Sequence, residues 1–204
     1  LFARAKLEKF FKPKLRDWDM LIEVRFHGRG GQGVVTAADF LAVAGFKEGY
    51  YTLSFPTFGA EKRGTPVASF LRISDEPVVV RDEVYRPDYV VVLDPSVFET
   101  VNVTSGLKDD GMLIANYPKA SEDLKAEIKT RARVATINAT KLAIKMLGRP
   151  ITNTAMVGAF AGATGILKLE TLKETAEELF NGALAEKNKL LIEEAYNQMK
   201  VMCR

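Results

Sequence analysis

Three glycines at G-x-G-x-x-G spacing, Gly28, Gly30 and Gly33, stand between a hydrophobic segment, Leu21 to Phe26, and a helix-compatible one, Val34 to Ala44. Missing Cβ atoms let a strand turn tightly into a helix, and the bare amides of such a turn favour anions. The run His27-Gly28-Arg29-Gly30-Gly31-Gln32-Gly33 thus commits the chain to a strand-turn-helix unit, the opening unit of dinucleotide-binding α/β folds. That fingerprint also asks for an acid about 20 residues on, at the end of the next strand, to bond the ribose hydroxyls. Here Ser54, Phe55 and Pro56 stand in its place, and the next acid is Glu61. A Walker phosphate loop is excluded because Val34 and Val35, not Lys and Ser/Thr, follow Gly33.

The pattern continues as alternating strands and helices. Tyr50 to Leu53, Tyr89 to Leu93, Met112 to Asn116 and Val134 to Ile137 read as strands, and Ser96 to Val101 as a helical turn. Val67 to Ile73 and Val78 to Val80 flank the turn-like Ser74-Asp75-Glu76-Pro77, which predicts a hairpin and so an antiparallel element. The first helix is expected to stop at Gly45, and Ser121, ahead of Glu122 and Asp123, to cap another. Helices follow over Thr140 to Leu147, Thr154 to Thr164, Thr171 to Phe180 and Ala185 to Met199, the last with Leu190, Leu191 and Tyr196 on a possible apolar stripe. Asn153 or Thr154 suits the start of the second of these as a cap. The expectation is a three-layer α/β/α fold, with a mostly parallel sheet, an antiparallel hairpin element and a helical C-terminal region.

The formal net charge of +3 is confined to residues 1 to 19, which carry six basic and three acidic side chains. Taking six from 29 and three from 26 leaves 23 of each sign, so residues 20 to 204 are neutral and a nucleic-acid binder is not indicated. Residues 1–19 read as a basic extension or a packed N-terminal helix, and 20–204 as one domain. Apolar runs are too short to span a bilayer, and the expected location is cytoplasmic. The only cysteine, Cys203, leaves no means to hold an iron-sulfur cluster, a disulfide or a Cys/His zinc site within the chain.

Two loops are the candidate site. Gly28, Arg29, Gly30, Gly31, Gln32 and Gly33 offer amides and a cation for a phosphorylated ligand or a partner's carboxylates. The segment Ser54 to Pro66 should open on the same sheet edge, with Phe55 and Phe58 as apolar anchors and Glu61, Lys62 and Arg63 as directional polar contacts for a docking partner. A packing turn and self-buried aromatics are the alternative reading of both loops. His27, the only histidine, reads as a structural hydrogen-bonder at a strand end rather than a base. No residue is assigned a catalytic role, and no metal site is expected.

His27 to Gly33, Phe58-Gly59-Ala60-Glu61-Lys62-Arg63-Gly64 with Pro66, Asp88 to Pro95, and Pro150-Ile151-Thr152-Asn153-Thr154 leading into Met156-Val157-Gly158-Ala159 resemble, in order and spacing, the gamma subunits of the 2-oxoacid:acceptor oxidoreductases. The resemblance spans nearly all of residues 21 to 199 and leaves out residues 1 to 19. It implies a subunit of a complex that decarboxylates a 2-oxoacid such as pyruvate, passes the acyl group to coenzyme A and sends electrons to ferredoxin. It further implies that thiamine diphosphate, magnesium and iron-sulfur clusters sit on alpha, beta and delta-type partners. The sequence agrees by omission, since the G-D-G motif of thiamine-diphosphate sites does not occur. A free-standing NAD(P)-binding oxidoreductase and a non-catalytic scaffold are the competing classes.

Overall fold

A computed structural model describes residues 20–57 and 64–202. The strands are β1 (Leu21–Arg29), β2 (Tyr51–Pro56), β3 (Pro66–Ser74), β4 (Tyr89–Val92), β5 (Met112–Asn116) and β6 (Arg133–Ile137). The helices are α1 (Val34–Lys47), α2 (Ser121–Glu127), α3 (Ala139–Leu147), α4 (Asn153–Thr164), α5 (Leu169–Leu179) and α6 (Gly182–Met202), and a 3-10 turn covers Pro95–Glu99. The strands form one sheet in the order β2-β3-β1-β4-β5-β6. Only β3 runs against the rest, antiparallel to both β1 and β2, so the expected α/β fold and its antiparallel element are present.

The antiparallel hairpin is β2 with β3, joined through residues 57–65, and β3 pairs antiparallel with β1 on its other side. The hairpin expected across Ser74 to Pro77 does not form. Beyond it, Val79 and Val80 are exposed and lie outside any strand, and the Val80 carbonyl accepts a bond from Arg72. The β-rich run thus serves as a loop folded back over the sheet.

The two sheet faces differ, and β1 shows why. Its residues alternate, with Val24, Phe26 and Gly28 on one face and Glu23, Arg25, His27 and Arg29 on the other. The apolar face meets the main core, where Phe26, Phe40, Leu41, Leu71, Met156 and Phe160 are all nearly inaccessible. The polar face over β1 and β3 is closed by loops. Arg25 donates to the carbonyls of Val84, Val103 and Ser105, and Arg72 pairs with Glu23 at 2.9 Å. A smaller cluster of Val90, Val92, Val97, Leu113 and Leu124 fills that face further along, beneath the 3-10 turn and α2.

Helix α4 is apolar all round because it is buried all round, with Thr154 through Gly162 inaccessible. A Cβ on Gly158 would come within 2.3 Å of the Ile192 carbonyl oxygen, and one on Gly162 within 2.2 Å of that of Tyr196. These two glycines let α6 press directly onto α4. Leu191 lies in that interface, whereas Leu190 points out at 55% exposure, so the expected stripe keeps one leucine and loses the other.

Several boundaries moved for local reasons. Helix α1 runs through Gly45 to Lys47, since a Cβ at Gly45 would meet Thr52 at 2.8 Å and the glycine serves helix-strand contact rather than termination. Ser121 is inside α2, not its cap, and its hydroxyl bonds Thr136 of β6. Neither Asn153 nor Thr154 is the cap residue of α4, which is Thr152, although Asn153 Oδ1 accepts the Thr154 amide. Among the described residues no helix is long and apolar enough to cross a membrane.

Candidate functional site

Strand β1 continues through Gly28 and Arg29, so the turn proper is Gly30 to Gly33. A Cβ on Gly28 would lie 2.6 Å from Val34, and Gly33 holds φ at +79° at the head of α1. The glycines therefore serve a tight reversal with close packing on both sides of it.

Arg29 is the hub of this edge. Its guanidinium donates to the Ser96 hydroxyl at 2.6 Å, to the Ser96 carbonyl at 3.3 Å and to the Gly64 carbonyl at 3.0 Å. The backbone adds Gly30 N–H to the Thr65 carbonyl at 2.9 Å and Gly64 N–H to the Gly30 carbonyl at 3.1 Å. The expectation that the glycine turn and the loop after β2 share one edge is met, because β2 points the same way as β1. Arg29 commits three of its five N–H donors within the chain, cross-bracing three loops.

Gln32 closes the turn from the other side. Its carbonyl accepts the Arg29 amide at 3.2 Å and its amide donates to Asp94 Oδ2. Asp94 Oδ1 in turn accepts the Ser96 amide and hydroxyl. Burial pushes the Asp94 carboxyl up, but the bonds from Ser96 and Gln32 and the Arg29 charge outweigh it and hold the group below its ordinary value.

The ends of β1 and β4 are the switch point of the sheet, where connections leave in opposite directions and where open α/β sheets bind ligands. Here protein groups occupy it. The Leu93 carbonyl accepts from Asn116 Nδ2 at 2.8 Å and from the Thr152 hydroxyl at 3.4 Å, and Asn116 also bonds Thr140 at the head of α3. The start of α4 then brings Asn153 against Gly33. With Asn153 packed against the residue before α1, and no ribose acid after β2, the dinucleotide reading has no support in this geometry.

His27 faces the other side of the edge and is 8% exposed. Its Nε2 accepts from Arg25 Nε at 3.1 Å. Burial, and then the Arg25 charge, lower its pKa from the usual 6.5 to about 4. With that nitrogen engaged, His27 is a structural hydrogen-bonder. A cavity of about 220 Å³ opens beside it, lined by His27, Gly28, Thr57, Pro66, Val97 and Val101. A larger groove of about 1070 Å³ separates the 3-10 turn from the C-terminal end of α2, with Phe98 and Tyr117 in its wall.

Phe55 is half-buried, with its ring 5.2 Å from that of Phe70 and 5.7 Å from the Arg72 guanidinium. It is engaged within its own sheet. Phe58, Glu61, Lys62 and Arg63 lie outside the described residues, as do residues 1–19 and Cys203. Asn116, Thr140 and Arg25 also build this edge, and no sequence motif marks them. Asp94-Pro95 at a strand end was the visible signal for the braced edge, since an aspartate before a helical turn accepts the orphan amides there. Among the described residues no His, Cys, Asp and Glu group could hold a metal ion. With one cysteine in the whole chain, an iron-sulfur cluster does not fit here.

Residues 23–198 match the family profile of the pyruvate ferredoxin/flavodoxin oxidoreductases. The chain belongs to this family. It is 53% identical over 182 residues to the pyruvate/ketoisovalerate oxidoreductases common subunit gamma of Thermococcus kodakarensis, covering 89% of this chain and 98% of that one. It is 51% identical over 179 residues to pyruvate synthase subunit PorC of Methanocaldococcus jannaschii, covering 88% and 97%. Among solved structures, pyruvate oxidoreductase subunit PORC of Thermotoga maritima superposes with a TM-score of 0.79 at 34% identity, over 87% of this chain and 96% of that one. A 2-oxoglutarate:ferredoxin oxidoreductase from Magnetococcus marinus, solved with 2-oxoglutarate, coenzyme A and succinyl-CoA, shares the fold with a TM-score of 0.74 at 21% identity. The match covers 90% of this chain but 32% of that longer one, so in that enzyme the fold is one part of a larger polypeptide.

Proposed function

We propose that the chain acts as the gamma subunit of a multi-subunit 2-oxoacid:ferredoxin oxidoreductase, with pyruvate as the substrate. Its near full-length similarity to gamma and PorC subunits carries this reading. The reaction joins the acyl group of a 2-oxoacid to coenzyme A, releases carbon dioxide and passes two electrons to ferredoxin. Thiamine diphosphate with magnesium, and iron-sulfur clusters, belong to alpha, beta and delta-type partners. This chain, with neither a G-D-G motif nor cluster cysteines, completes the assembly in the cytoplasm and is inactive alone.

Within that assembly, Gly28 to Gly33 and the segment Ser54 to Pro66 face the catalytic subunits and help to cover the place where coenzyme A reaches the acyl intermediate. What supports this is their shared edge, braced by Arg29 against Gly64 and Ser96. Arg63→Ala in the reconstituted complex is expected to raise the coenzyme A requirement or weaken assembly. Unchanged values for both would remove this loop's role while leaving the subunit assignment standing.

Branched-chain 2-oxoacids are a second substrate reading, favoured by relatives described as common to pyruvate and ketoisovalerate oxidoreductases. Assaying the native complex against a panel of 2-oxoacids separates the two. The assignment itself is tested by purifying the tagged chain from its own cells. Co-elution with thiamine- and cluster-bearing chains is expected, and a solitary monomer would contradict it.

A further inference from the structure

Between Glu127 and Glu170 the chain has no carboxylate side chain, yet it carries seven lysines and arginines. All seven are exposed, and none lies within ion-pair distance of a carboxylate among the described residues. Such a one-sided run stands out in a chain whose positions 20 to 204 balance at 23 of each sign.

Three of these cations lie along α3 and just past its end. Lys141 and Lys145 are one turn apart on α3, and Arg149 follows just past its glycine C-cap. Ile144, 52% exposed, stands between the two lysines. Arg149 and Leu147 then border a cavity of about 380 Å³ whose other walls are Ile151 and the first turn of α6, with Leu184 and Lys187. Ile151 and Leu184 are 45% and 50% exposed, so the floor is apolar and the rim is cationic. Glu186, the acid next to Lys187 on α6, bonds Lys189 at 3.1 Å, Glu177 of α5 bonds the same lysine, and neither carboxylate is within ion-pair distance of Arg149 or Lys187.

We propose that this α3–α6 groove docks an acidic segment of another chain in the oxidoreductase assembly, an apolar side chain seated between Leu147, Ile151 and Leu184 with flanking carboxylates paired to Arg149 and Lys187. An apolar groove with two cations on its rim, Arg149 and Lys187, neither within ion-pair distance of a carboxylate among the described residues, is complementary to that chemistry. A second copy of this chain is disfavoured, because a symmetric contact would set like charges face to face. A nucleic acid would use the cations but leave the apolar floor uncovered. The proposal rests on the chain being a subunit of the complex.

The test uses the complete chain and its purified partner subunits, with assembly followed by light scattering and titration across a salt series. Arg149→Glu/Lys187→Glu is expected to weaken assembly about tenfold or more and to flatten its salt dependence. Leu184→Ser is expected to weaken it with the salt dependence retained. Unchanged spectra and unfolding midpoints in each variant confirm that the fold survives. Unaltered assembly in both variants, with the wild type assembling normally, would overturn the docking site and leave the subunit assignment intact. Failure of the wild type to assemble would overturn both. Loss of binding to a labelled RNA or DNA oligonucleotide in the charge variant, with assembly unchanged, would assign the cations to nucleic acid and also overturn the proposal.

Discussion

A Cβ placed on Gly33 would stand 2.8 Å from the side-chain amide nitrogen of Asn153, so the head of α1 and the head of α4 meet at one point. Gly33 also sits at φ +79°, where a side chain is strained by itself. Gly33→Ala is expected to cost roughly 1–3 kcal/mol, seen as a fall of several degrees in the unfolding midpoint. Part of that cost is the collision and part the backbone. Gly33→Ala in an Asn153→Ala background should therefore cost less than in the wild type, and a double-mutant cycle measures the difference.

His27 ties stability to pH. Its folded pKa of about 4 lies below the ordinary 6.5, so the unfolded chain binds a proton between those values and the folded chain does not. Stability contributed by the neutral imidazole is full above pH 6.5 and drains away as pH falls towards 4. Between pH 7.5 and 5 the loss is on the order of 2 kcal/mol, and a His27→Gln variant should show a flatter pH profile. Urea unfolding at a few pH values checks this, and equal slopes would contradict it.

Asp94 acts further down the scale. Its carboxyl is held below the ordinary carboxylate value, so its contribution is present above that value and is lost as pH falls through the lower, folded one. Asp94→Asn should lose the Ser96 and Gln32 bonds in part, lower stability at neutral pH, and make acid unfolding less steep below about pH 4. Acid titration followed by circular dichroism measures both.

The α4–α6 contact leaves no room for a methyl group. Gly158→Ala gains helix propensity of about 1 kcal/mol but drives a Cβ onto the Ile192 carbonyl, for a net loss of about 1–3 kcal/mol. A neutral or stabilised variant in denaturant unfolding would show that the two helices separate readily.

The sequence made the alternating architecture readable because strand and helix segments were long and bounded by Gly, Pro and Asn. What it hid depends on partners distant in the chain. Gly45 reads as a stop, yet it sits within α1 because Thr52 needs the space. Ser121 reads as a cap, yet its hydroxyl is taken by Thr136. The Val67 to Val80 stretch reads as a hairpin, yet β3 pairs with β1 and β2, whose main-chain registers no local pattern announces. The glycine turn was legible as a strand-turn-helix unit, but its brace was not, since Arg29 reaches Ser96 across 67 positions and Gly64 across 35.

The chain is proposed to function only within a multi-subunit 2-oxoacid:ferredoxin oxidoreductase. Coenzyme A-dependent ferredoxin reduction by purified partner subunits, with pyruvate, before and after this chain is added, tests that role. No reduction is expected from this chain alone, little from the partners alone, and restored activity on mixing that saturates at a fixed ratio of chain to partners. Full activity from the partners without it would rule out that role.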